Sequence, residues 1–178
     1  MDALTINNLP HYTYEDYISW EGRWEIIRGI PYAMSPAPDL KHQLISNNIA
    51  SELKQRLAKC PQCHALLPVD WKISEDIIVQ PDNLVICYEP EGKYITRAPS
   101  IIFEVLSPPT FLKDVNLKFK LYEHEGVKYY ILVNPEDKIA KIFQLKNGKY
   151  IKVLDATNEK IIFDIDICKI EFDFAKIW

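Results

Sequence analysis

Three ionisable residues near the middle of the chain, Asp82, Glu104 and Lys118, are of the types that phosphate hydrolysis uses. Two carboxylates can hold a hard divalent cation such as Mg²⁺ or Mn²⁺, which contacts a substrate phosphate and lowers the pKa of a water molecule. A lysine beside them can orient that water or neutralise the phosphate. The alternative is structural: Asp82 is a turn residue, and Glu104 and Lys118 form a buried ion pair.

Glu104 lies within a short apolar run, residues 101–106, that predicts a buried central strand. Alternation along a strand puts Glu104 on one face together with Ile102 and Leu106. A carboxylate in such a strand is costly unless a cation or hydrogen-bond donors lie close to it. We therefore expect a positive group beside Glu104.

The segment after this strand predicts a helix over residues 111–125, which Thr110 can cap and Gly126 can end. At about 100° per residue, Lys118 falls on the inward face of this helix, with Asp114 one turn before it. The rest of that face is apolar and consists of Phe111, Val115, Phe119 and Tyr122. The opposite, solvated face is predicted to carry the other two lysines, Lys113 and Lys120. Lys118 is thus the candidate cation for Glu104, and Asp114 can also pair with it.

Composition limits the class of protein. The chain has 178 residues, of which 48% are hydrophobic, and its net charge is −4. This size and composition predict a single domain, residues 1–178, with a sizeable core. The acidic balance excludes a global attraction to nucleic acid, although a local groove can still be basic. No apolar run reaches membrane-spanning length, and the first residues lack the regions of a signal peptide. We therefore expect a cytoplasmic protein with mostly reduced cysteines.

The other segments predict a mixed α/β fold. Residues 1–9 are expected to form an irregular arm. The predicted elements are a helix over 14–20 capped by Thr13, a hairpin over 24–34 that turns near Arg28-Gly29, a break at Ser35-Pro-Ala-Pro, a helix over 40–59 capped by Asp39, and strands over 65–72, 77–87 with an interruption at Pro81-Asp82, 101–106, 129–134, 139–144, 150–154 and 161–165. With the helix over 111–125, the core order is helix, three strands, helix, strand, followed by hairpin strands.

Pro81-Asp82, then Glu104 in an apolar strand, then a lysine, resembles the PD-(D/E)XK nuclease pattern, and the order of elements matches the core of that fold. More specifically, the chain resembles the Uma-type family of this nuclease-like superfamily over residues 10–175. The segments that carry the resemblance are Trp24-Glu-Ile-Ile-Arg-Gly, Met34-Ser-Pro-Ala-Pro with His42, Val79-Gln-Pro-Asp82, Glu104-Val-Leu-Ser-Pro, Asp114-Val-Asn-Leu-Lys118 and Tyr122-Glu-His-Glu-Gly-Val-Lys-Tyr-Tyr-Ile-Leu-Val.

The resemblance implies a restriction-endonuclease-like fold, in which helices flank a mixed central sheet with additional β-hairpins. It also implies a metal-dependent endonuclease that hydrolyses DNA, with Asp82 and Glu104 as metal ligands and Lys118 as the catalytic lysine. The general pattern has a lysine two residues beyond the strand carboxylate, where this chain has Leu106. The alternative is a nuclease-fold module that binds nucleic acid or protein without catalysis. Because one site cuts one strand, we expect a homodimer for double-strand cleavage.

Glu25 and His42 match further polar positions of the family and are implied to line the catalytic site. Glu25 lies in the first strand of the predicted hairpin, where it can equally be an exposed residue beside Arg23 or Arg28. His42 lies at the start of the helix over 40–59, on its apolar face, where it can equally be a core or capping histidine.

The segment Cys60-Pro-Gln-Cys63-His64 has the form of a c-type haem attachment signature. The expected compartment and the absence of a signal peptide disfavour haem. A zinc site needs further ligands, and Cys87 and Cys168 are isolated in the sequence. Structural cysteines are therefore the favoured interpretation.

Overall fold

The structure, a computed structural model, describes residues 9–34, 37–108 and 111–178. Its strands are β1 Trp24–Ile27, β2 Ile30–Ala33, β3 His64–Leu66, β4 Trp71–Ser74, β5 Ile77–Val79, β6 Asn83–Ile86, β7 Ile101–Val105, β8 Tyr129–Asn134, β9 Ile139–Lys146, β10 Lys149–Ala156, β11 Lys160–Asp164 and β12 Lys169–Asp173. Its helical segments are α1 Tyr14–Tyr17, α2 Leu40–Arg56, a 3₁₀ turn Leu57–Lys59, a π-helix Lys113–Lys118, α3 Phe119–Glu125 and a 3₁₀ turn Phe174–Lys176. The expected arm before Leu9, the break at residues 35–36 and the cap at Thr110 lie outside the described residues.

A six-stranded mixed sheet forms the centre of the fold, in the order β10-β9-β8-β7-β6-β3. The strands β7 and β8 pair in parallel, and their neighbours in the sheet pair antiparallel. The predicted alternation in β7 is confirmed, because Phe103 packs in the core that contains α2, whereas Ile102 packs in the core that contains α3. Glu104 therefore faces the α3 side of the sheet.

A second sheet, in the order β2-β1-β5-β4, covers part of the α3 side. The prediction of one strand over residues 65–72 is wrong, because β3 belongs to the central sheet and β4 to the second sheet. The interruption predicted at Pro81-Asp82 is the point where the chain leaves β5 of the second sheet and enters β6 of the central sheet. Asp82 is thus placed where the two sheets meet.

The predicted hairpin and the first long helix are both confirmed. β1 and β2 are joined at Arg28 and Gly29, which both have positive φ, as a two-residue hairpin turn requires. Asp39 caps α2, because its side chain accepts a hydrogen bond of 2.8 Å from the backbone N–H of His42. The face of α2 that carries Ile45 and Ile49 is buried against the central sheet.

The helix predicted over residues 111–125 is helical from Phe111 onward, but Lys113–Lys118 form a π-helix. A π-helix bonds i to i+5, so side chains beyond it are rotated relative to an α-helix. Phe111, predicted to point inward, is 45% exposed, whereas Lys118 is buried as predicted. Gly126 ends the helix in the left-handed region, as expected.

The four cysteines are paired, Cys60 with Cys168 and Cys63 with Cys87. The expectations that they are reduced and that Cys87 and Cys168 stand apart from the others are therefore wrong for this structure. Cys168 comes into reach because the hairpin β11–β12, of which β12 was missed in the sequence, packs on the same core as α2. Among the described residues, no helix is both long and apolar enough to cross a membrane.

Candidate active site

A pocket of about 530 Å³ opens where the two sheets, the start of α2 and the π-helix meet. Its charged lining residues include Arg23, His42, Asp82, Glu104, Lys113, Asp114 and Lys118. Four of the five site residues predicted from the sequence are therefore brought together at one cavity. Glu25 is not among the lining residues, because it is fully buried behind the lysines.

Glu104 projects from β7 and is 2% exposed. One of its carboxylate oxygens, Oε1, accepts hydrogen bonds from Lys118 Nζ at 2.9 Å and from the Tyr122 hydroxyl at 2.9 Å. The expected cation beside the strand carboxylate is thus present. The Tyr122 contact was not predicted, although a buried tyrosine hydroxyl usually finds a hydrogen-bond partner.

Asp82 is fixed beside the same strand by its own contacts. Its Oδ2 accepts a hydrogen bond of 2.8 Å from the backbone N–H of Val105, the residue after Glu104. The same oxygen lies 3.2 Å from Nε2 of His42, which α2 presents from the opposite wall. His42 therefore combines its expected structural position at the start of a helix with a direct contact to a candidate metal ligand.

Glu25 connects three parts of the site. Its Oε1 accepts a hydrogen bond of 2.8 Å from the backbone N–H of Gln80 and lies 2.7 Å from Lys118 Nζ. Its Oε2 lies 2.5 Å from Lys113 Nζ. The alternative of an exposed strand residue beside an arginine is therefore wrong. Because Gln80 precedes Pro81-Asp82, Glu25 also holds the segment that presents Asp82.

Lys113 is the site residue that the sequence analysis placed wrongly, on the solvated face. In an α-helix, residues five apart point about 140° away from each other. In the π-helix Lys113–Lys118 the bonding runs from i to i+5, so its first and last lysines share a face. Both then reach Glu25. Tyr130 supports this segment, since its hydroxyl donates a 2.7 Å hydrogen bond to the backbone carbonyl of Asp114.

The carboxyl group of Glu104 is electrostatically disfavoured in its charged form. Burial raises the pKa of Glu104 well above its usual range, and the neighbouring charges of Asp114, Asp82 and Glu25 raise it further, against the opposing effect of Lys118. Burial alone lowers the pKa of Lys118, but the surrounding carboxylates outweigh this and raise it well above its usual value. Lys118 is therefore held as a cation.

The other two acids respond in the opposite direction. Burial raises the pKa of Asp82, but the contact with His42, the charge of Lys118 and the Val105 N–H together lower it below its usual value. Burial likewise raises the pKa of Glu25, and Lys118 and Lys113 outweigh it. His42 has a raised pKa, because Asp82 offsets the effect of burial. Asp82 and Glu25 are thus stabilised as carboxylates. Around Glu104 the nearby positive charge is too small to offset burial and the neighbouring negative charges.

The donor set fits a divalent cation. Asp82 and Glu104 line the same pocket from neighbouring strands, and carboxylate oxygens are the ligands that Mg²⁺ and Mn²⁺ prefer. Four carboxylates, from Glu25, Asp82, Glu104 and Asp114, contact two lysines and one histidine in this region. The raised pKa of Glu104 indicates too little positive charge around this carboxyl group, and a bound cation would supply it.

A sequence profile of the Uma2 family, described as "Putative restriction endonuclease", matches residues 14–163. The chain belongs to the Uma2 family. The match includes all five predicted site residues, and it also includes Lys113. Comparison with curated proteins finds no match.

Comparison with solved structures supports the fold of this Uma2 protein. A crystal structure described as "a putative nuclease belonging to DUF820 from Anabaena variabilis" shares 16% sequence identity, covers 93% of this chain and 96% of that chain, and has a TM-score of 0.74. The expected restriction-endonuclease-like fold is confirmed. A cryo-electron microscopy structure of a DrdV–DNA complex aligns with 64% of this chain and 12% of that chain at 15% identity, with a TM-score of 0.34, which is too low to bear on the fold.

Proposed function

We propose that this Uma2 protein is an endonuclease that hydrolyses DNA phosphodiester bonds with the help of Mg²⁺ or Mn²⁺. Membership of a family described as "Putative restriction endonuclease" supports nuclease function. The observation that carries the finer proposal is the buried contact of 2.9 Å between Lys118 Nζ and Glu104 Oε1, in a pocket that Asp82 also lines. Two carboxylates and one lysine are a combination that metal-assisted phosphate hydrolysis can use.

Asp82 and Glu104 are the residues that would hold the divalent cation. When bound, the cation would lower the pKa of water and stabilise negative charge on the phosphate oxygens. The carboxylate of Asp82 is fixed by Val105 N–H and His42 before any ligand arrives, so little reorganisation is required of it. His42 acts here as a positioning residue for Asp82.

Lys118 would act on the reacting phosphate or on the attacking water. Its raised pKa keeps it charged, and its ammonium group is held between Glu25 and Glu104, so it approaches the pocket with a fixed direction. Glu25 lies behind this lysine and does not line the cavity, so we assign it a positioning role rather than the direct catalytic role implied by the resemblance. Lys113 also contacts Glu25, so Glu25 positions both lysines.

The decisive experiment measures cleavage of double-stranded DNA, single-stranded DNA and RNA by the full chain with Mg²⁺, with Mn²⁺ and with a chelator. We expect metal-dependent cleavage of DNA, which Glu104→Ala abolishes. Glu123→Ala is the matched control, because Glu123 is a buried glutamate whose partners, Lys149, Lys120 and the backbone N–H of Tyr150, do not line this pocket. Cleavage that persists in the chelator would contradict the proposal.

Calorimetric titration with Mg²⁺ separates the enzyme from a catalytically silent nuclease-fold module. A module that only binds nucleic acid or protein has no need of a hard-cation site, so it should bind neither ion at Asp82 and Glu104. Metal binding that is lost in Glu104→Ala, together with metal-dependent DNA cleavage, supports the enzyme. DNA binding without metal binding or cleavage would favour the module.

We also propose that double-strand cleavage uses a homodimer, because one site hydrolyses one strand and two-fold assembly supplies the second site. Sedimentation at micromolar concentration, with and without DNA, tests this assembly. A monomer under both conditions that still makes double-strand breaks would contradict it.

A further inference from the structure

Four cysteines from three distant segments of the sequence lie close together in the α2-side core, away from the pocket. We name Cys60, Cys63, Cys87 and Cys168 the cysteine cluster. Cys60 and Cys63 are buried within this core, and Cys87 and Cys168 pack against it. They come from three separate segments of the chain, and the candidate active site uses none of them.

The fold itself brings these segments together. Cys60 and Cys63 form a tight turn, in which the backbone N–H of Cys63 donates a 3.0 Å hydrogen bond to the carbonyl of Cys60. Cys63 directly precedes β3 and Cys87 directly follows β6, and the pairing of these strands continues their register to the two cysteines. Cys168 lies in the turn between β11 and β12, where its carbonyl accepts a 2.9 Å hydrogen bond from Ile165.

The two pairs of sulfurs contact each other, and Cys87 joins the group through its pairing with Cys63. Two disulfides need no contact with each other, because each satisfies its own two sulfurs. Here Sγ of Cys60 lies 3.4 Å from Sγ of Cys63, which belongs to the other pair. The sulfurs of Cys60, Cys63 and Cys168 all lie within 4.8 Å of one another. Tetrahedral zinc, with bonds to sulfur of about 2.3 Å, places its four sulfurs about 3.8 Å apart.

We propose that the cysteine cluster, once a thiol or phosphine reductant has converted its two disulfides to four thiolates, binds one structural Zn²⁺ ion. A C-x₂-C turn that supplies two ligands, with two more from other segments, is the usual build of a four-cysteine zinc site. Four soft sulfur ligands select zinc over the hard cations of the active site. The site is closed, since the protein occupies all four positions around the ion.

The expected consequence of zinc is structural. The ion would join the end of the 3₁₀ turn after α2, the edge strand β3 with its neighbour β6, and the hairpin β11–β12. In the reduced chain β3 and β6 pair as strands, and the other segments meet them through apolar packing. A metal that binds the folded chain and not the unfolded chain stabilises the fold. Zinc should therefore raise the melting temperature of the reduced protein without changing the residues that line the active-site pocket.

The test uses the full chain, reduced with a phosphine, stripped of metal by a chelator and kept without oxygen. Zn²⁺ is then added, and native mass spectrometry counts the bound ions. We expect one ion per chain, protection of all four thiols against an alkylating reagent, and, with Co²⁺ as the probe, the absorption spectrum of tetrahedral thiolate ligation. These measurements need no variant and no nuclease activity, so their outcome is independent of the proposed function.

Single substitutions then distinguish one four-ligand site from two independent pairs. Each of the four cysteine-to-serine variants should lower bound zinc from about one ion to less than about a tenth of an ion per chain after exchange into a weak chelator. The matched control is Ala65→Ser, which adds a hydroxyl in β3 two residues beyond Cys63, against the same core, and should retain its zinc. The proposal is overturned if the reduced wild-type chain binds no zinc, if it selects iron, or if only Cys60 and Cys63 are protected.

Discussion

Glu52 and Glu104 are both 2% exposed, yet they are buried on opposite sides of the central sheet in opposite surroundings. Glu52 on α2 accepts a 2.7 Å hydrogen bond from Arg56 Nε and a 3.2 Å hydrogen bond from the backbone N–H of Asp173, and Lys176 lies 3.5 Å away. Positive groups and donors thus surround one carboxylate. They hold the end of α2 to β12, and Glu52 does not line the candidate active-site pocket.

Among the described residues, the cation in contact with Glu104 is Lys118, which it shares with Glu25 and Asp114. Burial and the like charges around it raise its pKa, and it opens onto a pocket. Burial of a carboxylate therefore does not by itself indicate a functional site. The combination that does so is a deficit of positive charge next to a cavity that a cation can enter.

The largest expected difference between the two glutamates is in activity. Glu104→Gln keeps the shape of the side chain but removes a metal-ligating charge, so we expect the rate of DNA cleavage to fall by about 10³-fold or more. Glu52→Gln should leave the rate unchanged and lower the free energy of unfolding by about 1–3 kcal/mol, because it weakens charge-assisted hydrogen bonds. Single-turnover cleavage and chemical denaturation measure the two effects. Equal activity of the two variants would remove the functional distinction.

The second expected effect distinguishes three lysines of one helical segment. Lys118→Met should lower cleavage by about 10²-fold or more, because Lys118 is the cation nearest to Glu104. Lys113→Met should lower it by about tenfold, since Glu25 then loses one of the two cations that position it. Lys120, whose side chain is 72% exposed, is the matched control and should have no effect when changed to Met.

The same lysine series tests the π-helix. A uniform α-helix predicts that Lys113→Met and Lys120→Met behave alike, because both lysines would then point to solvent. Rates that are the same for these two variants, and unchanged from the wild type, would contradict a role for the Lys113–Glu25 contact. Melting temperatures are measured in parallel, because removal of Lys118 leaves buried carboxylates without their shared cation and also destabilises the fold.

Local patterns in the sequence were sufficient for the elements that carry the site. The apolar run at residues 101–106 contains one glutamate, and its predicted strand, its two faces and the burial of Glu104 are all observed. Asp39 capping and the apolar face of α2 likewise follow from side chains close in sequence. The inward direction of Lys118 was also correct, because the buried residues Lys118 and Tyr122 are spaced by about one helical turn.

What the sequence did not reveal depends on irregular or long-range geometry. The π-helix that brings Lys113 inward has no marker in the residue types, and the assumption of 100° per residue therefore misplaced this lysine. The division of residues 65–72 between two sheets depends on strand partners that are distant along the chain. The cysteine cluster depends on a partner 108 residues away, on a hairpin whose second strand was missed.

The smallest effect concerns stability without metal, and its sign follows from the pKa of Glu104. The folded state binds a proton at Glu104 more tightly than the unfolded state, whose carboxyl has an ordinary pKa near 4.5. Above that pH the folded state holds more protons, so its free energy of unfolding falls as the pH rises. Asp82 and Glu25 have lowered pKa values, so each adds to the free energy of unfolding. This stabilisation is present above the ordinary carboxyl pKa and is lost only in acid. The raised pKa of His42 also removes stability as the pH rises through it, equally in any variant that leaves His42 in place.

Glu104→Gln removes the effect of Glu104 on the pH dependence of stability and leaves the effects of Asp82, Glu25 and His42 in place. The difference in stability between variant and wild type therefore reports on Glu104 alone. Without metal, the melting temperature of Glu104→Gln should equal or exceed that of the wild type by a few degrees at pH 8, and the difference should shrink as the pH falls and Glu104 takes up a proton in the folded protein. Mg²⁺ should stabilise the wild type at pH 8 and leave the variant unchanged, because the variant lacks one ligand. Glu52→Gln serves as the control and should be less stable than the wild type with or without Mg²⁺. A metal-free Glu104→Gln protein that is strongly destabilised at pH 8 would instead show that Glu104 is, like Glu52, a structural ion-pair partner, and the two glutamates would no longer differ in kind.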